Sequence, residues 1–232
     1  MAPDHTLPLR KGGNRFSVVY LVAALALMFV ALPFADELAY GQLVEGIVFT
    51  LVLLAAVSAV ATHRWTLIVA LVLAVPTLVA RWVNHIWPEL LPIDPSLVVA
   101  FVFVVFVIAH LLRYIIQSPV VDFEVLCAAL AIYLLIIVAW SFVYTLIWRL
   151  DMHAFISTVN NNAPVDMSGF NAFYYSMQIL STITFGDIMP ATNVARMLSQ
   201  IEGITGLFYL ATLISRLVGL YKTQPPAPGE SQ

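Results

Sequence analysis

Two threonines stand close together in an otherwise apolar stretch, Thr182-Ile183-Thr184-Phe185, followed by Gly186-Asp187 and then Pro190. Hydroxyl and backbone carbonyl oxygens in such a row can replace the water shell of a cation. Gly-Asp marks a turn, and Pro190 keeps a helix from resuming at once. The apolar run just before it, Phe170–Ile183, carries Tyr174 and Tyr175 and is shorter than the roughly 20 residues a crossing helix needs. Irregular backbone at membrane depth is tolerated only where protein buries it or where it lines a watery cavity. A short helix followed by Thr-Ile-Thr-Phe-Gly-Asp therefore suits a pore loop, with Thr182, Ile183, Thr184, Phe185 and Gly186 along it and Asp187 at its end.

The elements that must hold this loop follow from composition. The chain has 232 residues, 62% of them hydrophobic and 10% charged, whereas a soluble domain carries about 25% charged residues. That balance excludes an ordinary soluble globule and predicts a polytopic, all-α membrane protein. Five segments have the length and apolarity of a span: Phe16–Phe34, Gln42–His63, Trp65–Val83, Ser96–Ile116 and Val125–Ile147. A sixth, Val194–Leu220, is apolar but contains Arg196, Gln200, Glu202, Gly203, Gly206 and Arg216. Four parts result: an N-terminal tail over 1–15, a four-helix membrane domain over 16–116, a pore domain over 117–222 and a polar C-terminal tail over 223–232. The first apolar run is longer than a usual signal-peptide core and lacks a small-residue cleavage site after Phe34, so it reads as a retained helix. With six spans and both termini cytoplasmic, Arg10, Lys11, Arg15, Arg64, Arg113, Arg216 and Lys222 gather inside and only Arg81, Arg149 and Arg196 lie outside. The expected location is the cell membrane.

Other chemistry finds little footing. Lys+Arg 10 against Asp+Glu 13 gives a net charge of −3, with no basic patch for nucleic acid. Cys127 is alone, and His5, His63, His85, His110 and His153 are scattered without ligand spacing, so no metal site is expected. There is no nucleophile elbow, zinc-protease helix or phosphate-binding glycine loop. Neither enzyme activity nor a cofactor is expected. Trp82, Trp87 and Trp148 lie near the ends of spans, as an aromatic belt requires.

The loop resembles the potassium-channel pore family, and more broadly bacterial six-span channel-like proteins. The family's filter runs Thr, apolar, Gly, Tyr or Phe, Gly, Asp, and Thr182-Ile183-Thr184-Phe185-Gly186-Asp187 departs from it only at Thr184. Tyr174-Tyr175 stand where the family has aromatic cuff residues, Pro190 and Arg196 where its inner helix opens, and Gly203 and Gly206 like its hinge. Ala131-Ile132-Tyr133-Leu134-Leu135 and Ala139-Trp140 resemble outer helices, so the likeness runs from Val125 to Tyr221. It implies a homotetramer around one axis, lipid as surroundings, and monovalent cations, K+ and with them Na+, as the permeant species. The short helix would aim the negative end of its dipole at the cavity, with Asn171 or Ser168 as its N-cap.

Within the sixth span, Glu202 is an expensive charge that should face protein or water. One reading makes it a buttress behind the filter, bonded to Ser181 or Gln178. The other makes it a helix-end ion pair with Arg196. Gly206 allows either a bend that opens a gate or a close helix contact. Spacing from Gly206 selects Leu210, Leu213 and Leu217 for the cavity or gate face, and the same stripe would serve equally to pack on the fifth helix. The fourth span has no basic residue before His110 and Arg113, so strong voltage sensing is not expected. No cytosolic ligand domain is expected after the last helix. Thr184 replaces a glycine that should need a left-handed backbone, and that substitution predicts a weakened preference for potassium. The competing function is a non-conducting scaffold or regulatory subunit that keeps the pore-domain fold.

Overall fold

The computed structural model describes residues 17–35, 40–61, 64–86, 93–119 and 121–221. The tails, His5, His63, Trp87 and the basic residues Arg10, Lys11, Arg15 and Lys222 lie outside them. Seven helices and three short strands follow one another: α1 Ser17–Ala35, α2 Gly41–Val60, α3 Arg64–Ile86, α4 Ile93–Gln117, α5 Phe123–Leu150, β1 Phe155–Ser157, β2 Ala163–Pro164, α6 Phe170–Ser181, β3 Ile188–Pro190 and α7 Asn193–Tyr221. Six of these helices, all but α6, are long and apolar enough to cross a membrane. At 1.5 Å per residue α6 is only about 18 Å long, well short of a bilayer's roughly 30 Å.

Helix α5 is the pillar. Asp122 caps its start by accepting the Val125 N–H at 2.9 Å, Glu124 stands in the first turn and Arg149 in the last. Each charge thus complements the local end of the helix dipole. Helices α1, α4, α6 and α7 all pack against α5, which explains why Ala128, Ala131, Ile132, Leu135 and Ile137 are almost wholly buried. At the far end of the chain the Arg216 guanidinium donates to the carbonyls of Ile115, Ile116 and Ser118 at 2.5, 2.9 and 3.0 Å. It thereby ties α7 to the C-terminus of α4, where orphan carbonyls need donors.

The stretch between α5 and α6, a polar tract by its sequence, contains part of a sheet. The strand order is β2-β1-β3, antiparallel throughout, with Ile156 opposite both Pro164 and Met189. Asn161 and Asn162 turn the β1–β2 connection with φ of 50° and 60°, a conformation asparagine tolerates better than most residues. The start of α6 also differs from expectation. Neither Asn171 nor Ser168 is the N-cap. Gly169 holds that place at φ 54°, ψ −122°, with no side-chain cap bond. Asp166 instead organises the approach, taking the Ser168 N–H on its carboxylate at 2.8 Å and the Asn171 amide on its carbonyl at 2.9 Å.

Candidate functional site

Helix α6 ends where its chain must turn toward the loop. Thr182 caps it in the left-handed region, φ 60°, with its N–H donating to the Ile179 carbonyl at 3.2 Å. Glycine usually fills such a position, because other residues meet a steric cost of about 1–2 kcal/mol there. Thr182, Ile183, Thr184 and Phe185 then run exposed along the surface of the single chain. Gly186 turns the loop at φ 76° into β3. Thr184 is not among the positive-φ residues. The backbone strain expected there from its glycine-like position is therefore absent, and the left-handed turns fall on Thr182 and Gly186.

Three groups of bonds hold this loop. Gln178, on α6, accepts the Phe185 N–H at 3.2 Å and donates to the Asp187 carboxylate at 3.1 Å. Tyr174, one turn earlier, donates to the other carboxylate oxygen at 2.9 Å and lies parallel to the Phe185 ring, centroids 6.5 Å apart. Burial by itself would push the Asp187 carboxyl up, but the bonds from Gln178 and Tyr174, joined by backbone N–H groups, outweigh it and hold it below its ordinary value. On the other side Thr158 donates its hydroxyl to the Gly186 carbonyl at 2.6 Å and its N–H to the Asp187 carbonyl at 3.0 Å. The loop is thus braced by α6 behind and by the sheet in front.

Glu202 is fully buried. It meets neither Ser181 nor Gln178, whose bonds lie elsewhere, and Arg196 turns away to donate to the Pro190 carbonyl at 3.1 Å. Its carboxylate takes hydrogen bonds from Tyr144 on α5 and from Ser176 on α6, the latter at 2.5 Å. Ser176 also reaches the Ile137 carbonyl at 3.0 Å. One side chain of α7 therefore joins α5 and α6 immediately behind the loop. Around it Tyr144, Tyr175 and Phe155 form an edge-to-face cluster with ring centroids 4.9–5.6 Å apart. Tyr175 and Ser199 add a further bond between α6 and α7 at 2.8 Å.

The glycines of α7 differ from each other. A Cβ on Gly206 would sit 2.6 Å from the Leu180 carbonyl oxygen, whereas one on Gly203 would find nothing closer than 3.8 Å. Gly206 is thus a close approach between α7 and the end of α6, and α7 runs unbroken through both glycines. This turns the leucine stripe as well. Leu213 packs on the core cluster, and Leu210 is 39% exposed. The side chain of Leu217 lies outside the described residues. The exposed face is carried instead by Ile204, Leu207, Phe208, Ala211 and Ile214. Of the leucines whose side chains are described, Leu213 turns toward the core and Leu210 stays exposed.

Thr158, Tyr144 and Ser176 were not singled out from the sequence. Tyr144 and Glu202 are 58 positions apart, and no local pattern links them. Thr158 lies in a polar tract that gave no strand signal, though its place beside the Asn-rich turn is the cue that a hairpin could be there.

Residues 125–222 match the family model described as ion channel. No match is found among curated proteins or among solved structures. Together with the six apolar helices of crossing length, the family match supports a multi-pass transmembrane ion channel. A family of that description is a non-enzyme kind of protein, one that serves ion transport.

Proposed function

We propose that the chain is one subunit of a tetrameric cation channel of the potassium-channel type, with α6 as a re-entrant pore helix and Thr182–Gly186 as the filter. The observation that carries this reading is the suspension of the loop. Gln178 and Tyr174 grip it from α6 and Thr158 from the turn just after β1, while Thr182–Phe185 remain exposed. Loops that merely connect elements have little reason to be fixed at both flanks with their middle left open. A filter needs both, since its oxygens must face an axis made by neighbouring copies.

Exposure along α7 agrees. Ile204, Leu207, Phe208 and Ile214 are apolar, exposed and on one face, as they must be if they meet the axis or an adjacent subunit. Fourfold assembly would close the ring, with Asp187 at the outer mouth and K+ and Na+ as the ions offered. The Thr184 hydroxyls add an oxygen ring where the potassium-channel pattern has glycine, and a changed number of ligands weakens discrimination between these ions. The protein would sit in the cell membrane with both termini in the cytoplasm.

Flux through liposomes containing the purified protein tests the reading. A potassium gradient should drive cation movement that disappears in Thr182→Pro, and mass measurement in mild detergent should give four copies. A stable monomer together with tight vesicles refutes it. Reversal potentials under bi-ionic conditions then examine selectivity: strict potassium preference would refute the weakened filter while leaving the channel intact.

A further inference from the structure

A cavity of about 350 Å³ opens between the four-helix domain and the pore half of the chain. Its size is at the low end of sites that hold a small organic group, about 300–1,000 Å³. The lining is of two characters: Met28, Leu32, Phe49, Phe142 and Phe173 are apolar, while Arg81, Arg149 and Glu45 are charged and come with hydroxyl groups. Arg81 pairs with Glu45 at 2.7 Å and lies over the Phe49 ring. Arg149 stacks on Trp148, is exposed, and makes no ion pair among the described residues. The charged lining is therefore two guanidiniums against one carboxylate, an excess of one positive charge.

The depth of the cavity is informative too. Arg149 ends α5 just before β1, and Ser168 and Gly169 lie at the start of α6. Arg149, Ser168 and Gly169 thus sit at the level where the helices give way to the sheet, which is where a membrane's headgroups begin. An amphiphile with one negative charge matches the excess, the depth and the mixed lining.

We propose that this cavity binds one anionic phospholipid, its phosphodiester beside Arg149 and Arg81 and the beginning of an acyl chain along Phe49, Phe142 and Phe173. Phe173 belongs to α6 and also touches Phe29 of α1 edge-on at 4.5 Å. A lipid there completes the packing between the four-helix domain and the helix that carries the filter. Binding is independent of whether the pore conducts.

Native mass spectrometry of the full-length protein, incubated with equal amounts of palmitoyl-oleoyl phosphatidylglycerol and phosphatidylcholine, tests the site. One phosphatidylglycerol per chain should be retained, with a preference of about fivefold, since one basic residue near a membrane surface contributes about 1 kcal/mol. Arg149→Gln removes the excess charge and should abolish the preference. Gly46→Leu should expel both lipids, because Gly46 lines the cavity and a Cβ there meets nothing within 4 Å. Equal retention of the two lipids by the native protein overturns the proposal. So does undiminished phosphatidylglycerol on Gly46→Leu, which would place the lipid elsewhere. Displacement of the lipid by millimolar inorganic phosphate alone would mark a simple anion site and overturn it as well.

Discussion

Glu202 offers the sharpest test of how the region behind the loop is held. Replacing it with alanine removes the acceptor for the Tyr144 hydroxyl, and Tyr144 is fully buried. A buried hydroxyl left without a partner costs about 1–3 kcal/mol. Ser176 is less affected, because its single hydrogen can turn to the Ile137 carbonyl at 3.0 Å. Truncation also leaves a void among packed helices, and large-to-alanine changes in cores cost about 2–5 kcal/mol. A loss of about 3 kcal/mol or more is expected for Glu202→Ala, which for a chain of this length lowers the melting temperature by about 6–12 °C.

Glu202→Gln should behave quite differently. The glutamine carbonyl can accept from Tyr144, and its amide can donate to the Ser176 oxygen while Ser176 donates to Ile137. Tyr144 and Ser176 then keep their partners, one amide N–H alone goes without, and the side-chain volume is kept. The melting temperature should stay within about 4 °C of the native protein, corresponding to roughly 1 kcal/mol. Thermal unfolding of the two variants in detergent, followed by tryptophan fluorescence, makes the comparison. Refutation comes from either of two outcomes: an unchanged Glu202→Ala, or a Glu202→Gln as unstable as the alanine variant. The first would mean that Tyr144 and Ser176 do not depend on Glu202, the second that the network needs an ionised acceptor.

Gly206→Ala should lose about 1–3 kcal/mol by forcing a methyl group against the Leu180 carbonyl, whereas Gly203→Ala should be neutral or gain from better helix propensity, up to about 1 kcal/mol; equal effects in the two melting curves would contradict the close-approach reading. Thr158→Val removes the hydroxyl bond to Gly186 but leaves the Thr158 N–H on Asp187, so amide exchange at 185–187 should quicken while the global melting temperature moves by no more than about 6 °C for a bond of about 0.5–1.5 kcal/mol. The Asp187 carboxyl is held below its ordinary value, so its contribution is present at neutral pH and fades only as pH falls through that lowered value. Protection in the loop, taken as the exchange rate relative to the intrinsic amide rate at each pH, should therefore be flat with acidification down to about pH 4, the ordinary range of an aspartate, and a transition near pH 6 would disprove the bonding described for it.

What could be read from the sequence, and what could not, divides along the distance over which each signal acts. The spans were legible because a crossing helix is announced by about 20 apolar residues in succession, and α1–α5 and α7 start and stop within a few residues of the sequence reading. The row Thr182–Asp187 was legible for the same reason, all its information being local. The sheet was not, because strands of two or three residues carry no usable period and β1 finds β3 more than 30 positions away. Glu202 was correctly singled out as a charge needing company, but its partners depended on how three helices are turned about their axes.

Rotation also explains why Leu213 packs inward. At 100° per residue, Leu213 lies about 20° from the direction of Gly206, whereas Leu207 and Ala211 lie about 100° and 140° away. Ala195, Ser199 and Glu202 fall within about 40° of Gly206 by the same arithmetic, and all three are buried. Choosing Gly206 as the origin of a cavity face assumed that a glycine in this helix marks the side of motion. The 2.6 Å approach to Leu180 makes it the side of contact, a phase that Leu213 shares while Leu210 stays exposed. Glu202 could have given the phase from the sequence alone. A carboxylate within a span belongs against protein or water, and Gly206, four residues later, shares its face. The residues opposite, Ile204, Leu207, Phe208 and Ala211, were then the ones left exposed.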